Sequence, residues 1–75
     1  MTTLDIAFHY GKPPTEPELR ALADVREVYG IRRIDFNEKE RTVRVEFDAS
    51  RLTASVVANL LRTAGLDLRE QITLA

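Results

Sequence analysis

All three prolines of this 75-residue chain fall between Pro13 and Pro17. Each fixes its own φ and lacks a backbone N–H, so neither a strand nor a helix can run unbroken through Gly11-Lys12-Pro13-Pro14-Thr15-Glu16-Pro17. Ahead of this loop, Leu4, Ile6, Phe8 and Tyr10 alternate with Asp5 and His9, which predicts a strand with one buried face. At its far end, Thr15 and Glu18 have the spacing of a capping box, and Pro17 stands in the first turn, where a missing N–H costs nothing. A helix therefore starts here. It is expected to run to about Tyr29, with Leu19, Leu22, Ala23, Val25 and Tyr29 at three- and four-residue spacing and Gly30 as a left-handed C-terminal cap.

The remainder divides as cleanly. Ile34 and Phe36 alternate with Arg33 and Asp35 in a strand over Ile31 to Phe36, Asn37 to Arg41 is a polar connection, and Val43, Val45 and Phe47 alternate with Arg44 and Glu46 over Thr42 to Phe47. Two neighbouring strands with matching one-sided burial make an antiparallel hairpin. Asp48-Ala49-Ser50 ends it, and Thr53 caps a second helix whose apolar face carries Val56, Val57, Leu60, Leu61 and Ala64, with Gly65 as its stop. A last strand is expected from Leu66, using Leu68, Ile72 and Leu74 at a less regular spacing. The order β-α-β-β-α-β is that of an α+β, ferredoxin-like sandwich: a four-stranded antiparallel sheet with two helices on one face. Its other face would present Asp5, Ala7, His9, Arg33, Asp35, Arg44 and Glu46 to solvent, alternating in sign.

Composition narrows the function. A content of 44% apolar and 31% charged residues fits one small domain over residues 1–75, near the size at which a single core suffices without staples. The chain has no cysteine, so disulfides, thiolate metal sites and cysteine nucleophiles are excluded. Eleven basic against 12 acidic side chains give a formal charge of -1, which argues against a phosphate-backbone binder. Recognition of RNA on the sheet face is disfavoured too, because the exposed side of Thr42 to Phe47 offers Arg44 and Glu46 where base stacking needs aromatics. No apolar run approaches the roughly 20 residues of a membrane span, and no basic-then-apolar leader opens the sequence, so a cytoplasmic location is expected. The single histidine, His9, lies between Phe8 and Tyr10, and nothing pairs it with a nucleophile and an orienting acid; the chain is not expected to be an enzyme.

Across almost the whole chain the residues resemble the heavy-metal-associated domain of copper chaperones and of the N-termini of metal-pumping P-type ATPases. The resemblance is carried by Gly30-Ile31-Arg32-Arg33-Ile34-Asp35-Phe36, Thr42-Val43-Arg44-Val45-Glu46-Phe47-Asp48, the helix around Val56 to Leu61, and Gly65-Leu66. Such domains read Gly-Met-Thr-Cys-x-x-Cys, then a helix, then Gly-Val. Aligning Gly11 and Gly30 with the two glycines sets Lys12 at the Met, Pro13 at the Thr, and Pro14 and Pro17 at the two cysteines. Proline offers a soft ion neither charge nor lone pair, so binding of Cu(I) by thiolates is excluded, and three prolines stiffen a loop that in the family exchanges ligands.

Two functions follow as expectations. In the first, the resemblance implies a non-catalytic interaction or regulatory domain of a metal-transport system, meeting a protein partner or a covalently attached transporter through Lys12, Glu16 and Arg20, the counterpart of the family's docking surface. A free sheet edge offers a second route, to a partner strand or a second copy. In the second, His9, Glu16 and Glu18 hold a divalent ion such as Zn(II), Ni(II) or Co(II), for which imidazole and carboxylate are suitable ligands.

Overall fold

The computed structural model describes residues 3–72. The elements run β1 (Thr3–Tyr10), α1 (Glu16–Val25), β2 (Ile31–Asn37), β3 (Thr42–Asp48), α2 (Ala54–Thr63) and β4 (Leu68–Ile72). The strands form one antiparallel sheet in the order β2-β3-β1-β4, so β2 and β4 are its edges. This is the ferredoxin-like sandwich, with both helices on one face. Alternation along β1 and β3 turns Ile6, Phe8, Tyr10, Val43, Val45 and Phe47 toward Leu22 and Val25 of α1 and Val57 and Leu61 of α2, and these side chains make one core. Burying Leu22 or Leu61, both almost fully enclosed, stabilises the fold by about 1.5–3 kcal/mol each.

Several details depart from the sequence expectation. Helix α1 stops at Val25 rather than near Tyr29: its last four-residue bond is Arg26 N–H to Leu22 O, after which Glu27 and Val28 donate to Asp24 and Val25 in a tighter turn. Tyr29 consequently leaves the core, 73% exposed, with the Arg51 guanidinium 4.7 Å above its ring. Gly30, at φ +102°, shapes the turn into β2 instead of capping the helix directly. Ala7, assigned by alternation to the solvent face, is only 5% exposed, because a lone methyl is covered by longer neighbours and its cross-strand partners are Arg44 and Ile72. Finally, β4 begins at Leu68; Leu66 is buried ahead of it, in the turn closed by Leu68 N–H to Leu66 O at 2.8 Å. Leu74 lies outside the described residues.

The register of β2 solves a patterning problem. Ile31 faces Phe47 but Arg33 faces Glu46, so β2 carries one extra residue, Arg32. That irregularity lets both Ile31 and Ile34 point into the core at a spacing strict alternation would forbid.

Candidate functional site

The loop that the prolines set apart begins where β1 ends. Tyr10 is buried, its ring edge-on to Phe36 at 5.8 Å, and its backbone N–H donates to Arg41 O at 2.9 Å. Burial pushes the Tyr10 hydroxyl pKa up, Glu38 adds to the rise, and Arg41 opposes it. Gly11 then crosses to the start of β4: its N–H donates to Asp67 O at 3.0 Å and its carbonyl accepts from Arg41 Nη1 at 3.0 Å. Asp67 Oδ2 takes the next backbone N–H, that of Lys12, at 3.0 Å, and the Arg69 guanidinium at 2.9 Å. These bonds hold the Asp67 carboxyl below the usual aspartate range, the Lys12 amide contributing most. The closure leaves little room at Gly11: a Cβ there would lie 2.5 Å from Asp67 Oδ2 and 2.7 Å from Arg69 Nε, both at the ends of side chains.

The far end of the loop is tied as firmly. Glu18 reaches back to accept the Thr15 backbone N–H at 2.7 Å, the carboxylate half of the expected capping box. Bonding to the Thr15 backbone, then to its hydroxyl, lowers the Glu18 pKa, with Lys12 adding a smaller pull. The stem of Glu18 packs over Gly65, where a Cβ would come within 2.9 Å of its Cγ. Residues 11–17 are thus a turn clamped at both ends.

The three proposed metal ligands are not brought together. His9 is exposed and alternates with Phe8 and Tyr10, so it emerges on the sheet face away from the helices, whereas Glu16 and Glu18 open α1 on the helix side. Glu18 is occupied by the cap, and Glu16 pairs with Arg20 at 2.7 Å. Among the described residues no group of three or more His, Cys, Asp or Glu side chains could hold an ion. The chain holds no cysteine, so the residues present do not fit a thiolate-bound metal.

Lys12, Glu16 and Arg20 are all exposed at the loop and along the first turns of α1. Beside them Tyr10, Pro13, Pro14, Leu19, Phe36 and Glu38 line a mostly apolar groove of about 270 Å³. Leu19, expected in the core, is 49% exposed there. On the charged sheet face, by contrast, both arginines are paired: Arg44 bonds Asp5 at 2.7 Å and Arg33 bonds Asp35 at 2.7 Å. Sequence reasoning missed Asp67, Arg69 and Arg41, because their contact with the loop is made by residues 30 or more positions away and no local pattern announces it.

Neither a family profile nor a curated protein sequence matches the chain. Solved structures do. Oxidized MerP from Ralstonia metallidurans CH34 superposes with a TM-score of 0.72 at 16% identity, covering 91% of this chain and 96% of that one. Apo-CopP from Helicobacter pylori superposes with a TM-score of 0.73 at 24% identity, covering 88% of this chain and 100% of that one. The chain shares their fold. At these identities the likeness concerns backbone architecture, and the loop must be judged by its own residues.

Proposed function

We propose that this chain is a non-catalytic interaction or regulatory module of a metal-transport or metal-homeostasis system in the cytoplasm, built on the heavy-metal-associated fold but without that family's thiolate binding. It acts as a separate protein or joined to a transporter such as a metal-pumping ATPase. The observation that carries this reading is the loop: it holds three prolines and no cysteine, with Pro14 and Pro17 where the resemblance puts the two ligands, while Asp67 and Glu18 hold the turn shut. The resemblance of the sequence and the fold shared with MerP and CopP support the metal-handling context. The exposed Lys12, Glu16 and Arg20 are the surface through which it meets its partner.

The test is a calorimetric titration with Zn(II), Ni(II), Co(II) and, anaerobically, Cu(I), with NMR to locate any perturbed residue. No saturable binding at the loop is expected. Stoichiometric micromolar binding that His9→Ala abolishes would replace this reading with that of a divalent-metal carrier or sensor. Reversing charge at Lys12 and Arg20 is expected to weaken partner binding; unchanged affinity after both reversals would reject that surface.

A further inference from the structure

We infer that the outer face of α1 is a self-association surface, pairing antiparallel with the same face of a second copy of this chain. The proposal rests on the reading of this region as an interaction surface and names one occupant for it. Glu16, Leu19, Arg20 and Ala23 recur at helical spacing and all are exposed, so they form one stripe beginning at the flank of the buried Leu22 and Val25. The stripe is apolar at its centre and carries an acid and a base on either side of Leu19. Running α1 against α1 of a second copy sets Glu16 opposite Arg20 of that copy, and Arg20 opposite its Glu16, with the two Leu19 side chains between them. A two-fold interface requires such self-complementarity. Leu19 also rims the groove formed with Pro13, Pro14 and Phe36, so apolar surface continues past the helix. Proline presents no N–H that would be left unsatisfied by drying this groove.

Three further features agree. The loop beside the stripe is clamped before any partner arrives, so little ordering entropy opposes association. A formal charge of -1 gives no strong long-range repulsion between copies. Both edge strands carry register shifts, at Arg32 in β2 and opposite Phe8–Tyr10 in β4, which discourage pairing edge to edge and leave the helix face as the better surface.

The experiment uses Glu16→Arg, which makes the stripe wholly basic, and Arg20→Glu, which makes it wholly acidic. Sedimentation equilibrium of the wild-type chain, up to about 1 mM at low salt, is expected to show a monomer–dimer equilibrium. Each variant alone is expected to raise the dimer Kd about tenfold or more through like-charge repulsion, and an equimolar mixture of the two to recover association as a heterodimer. A role confined to the helix's own Glu16–Arg20 pair would not produce recovery on mixing. Circular dichroism confirms folding of each variant, and Leu19→Ser, which leaves the charges alone, is expected to weaken the dimer as well. A wild-type chain that stays monomeric, variants that associate as it does, or a mixture that stays monomeric would overturn the proposal. None of these outcomes bears on the metal titration, so the two readings fail separately.

Discussion

Two corners of this sandwich are each pinned by an aspartate, and they differ in what surrounds it. At the proline loop, Asp67 ties two segments 55 residues apart by accepting the Lys12 N–H and the Arg69 guanidinium, with its side chain 39% exposed. At the opposite end, Asp48 works locally and is only 6% exposed: Oδ1 accepts the Ser50 N–H at 2.9 Å and the Ser50 hydroxyl at 2.7 Å, while Arg32 stands 3.9 Å from Oδ2. The backbone of Asp48 is engaged as well, its N–H donating to Gly30 O at 2.7 Å and its carbonyl accepting from Arg51 and Leu52. The difference teaches that one kind of group can serve two ends: the buried corner secures the fold, and the exposed clamp shapes a surface.

The glycines beside the two aspartates should separate these roles most strongly. Gly30 sits at φ +102° with a would-be Cβ 3.0 Å from Leu52 and 3.1 Å from the Arg51 Cβ, so Gly30→Ala meets both backbone strain and packed carbon. It is expected to cost about 1–2 kcal/mol and lower Tm by roughly 5–15 °C in thermal melts. Gly11→Ala would displace the ends of Asp67 and Arg69, which can swing into solvent, so only a few degrees are expected, together with NMR shifts confined to the loop and β4. Equal losses at the two glycines would erase the distinction.

Acid should act on both corners with the same sign. The Asp48 carboxyl is held below the usual aspartate range, first by the Ser50 hydroxyl and then by the Ser50 N–H, and Asp67 is lowered by the Lys12 N–H and Arg69. A carboxyl depressed by folding contributes stability that is complete above its unfolded pKa and is lost as pH falls through the folded value. Melts taken downward from about pH 5 should therefore show falling stability. Asp48→Asn is expected to flatten that dependence more than Asp67→Asn, since the shielded carboxylate interacts with less solvent screening; the reverse order would contradict the assignment of roles. Salt should sharpen the contrast, with 1 M NaCl altering the melting of Asp67→Asn relative to wild type while leaving the Asp48→Asn difference nearly unchanged, because a Debye length of about 3 Å screens only the exposed clamp. The smallest effect is expected at Tyr29, where removing the ring under Arg51 should cost about 0.5 kcal/mol by chemical denaturation.

Much of the fold could be read from the chain because its signals are local. Thr15 and Thr53 stand at the two helix N-caps as their spacing predicts, Gly65 takes the left-handed conformation after α2, and alternation marks β1 and β3 nearly to the residue. Where the reading slipped, tertiary context had intervened. Tyr29 continues a helical pattern, yet the chain tightens after Val25 and Tyr29 stacks with Arg51 instead. Leu19 looks like core by spacing, but the buried stripe of α1 passes through Leu22 and Val25, leaving Leu19 on its flank. The candidate site was legible in its negative half, a proline-rich loop without cysteine that neither a strand nor a helix can cross. Its positive half was not, because the Asp67 clamp depends on β4 returning beside β1, a juxtaposition created only by the complete fold.

Amide hydrogen exchange at Gly11 and Lys12, followed with and without Zn(II), tests most directly whether this loop is a closed turn rather than an ion site. Both N–H groups donate to Asp67, so the account predicts slowed exchange for each in the metal-free protein and no change on adding the ion. Rapid exchange that becomes protected only when Zn(II) is present would show a loop awaiting its metal, and would contradict it.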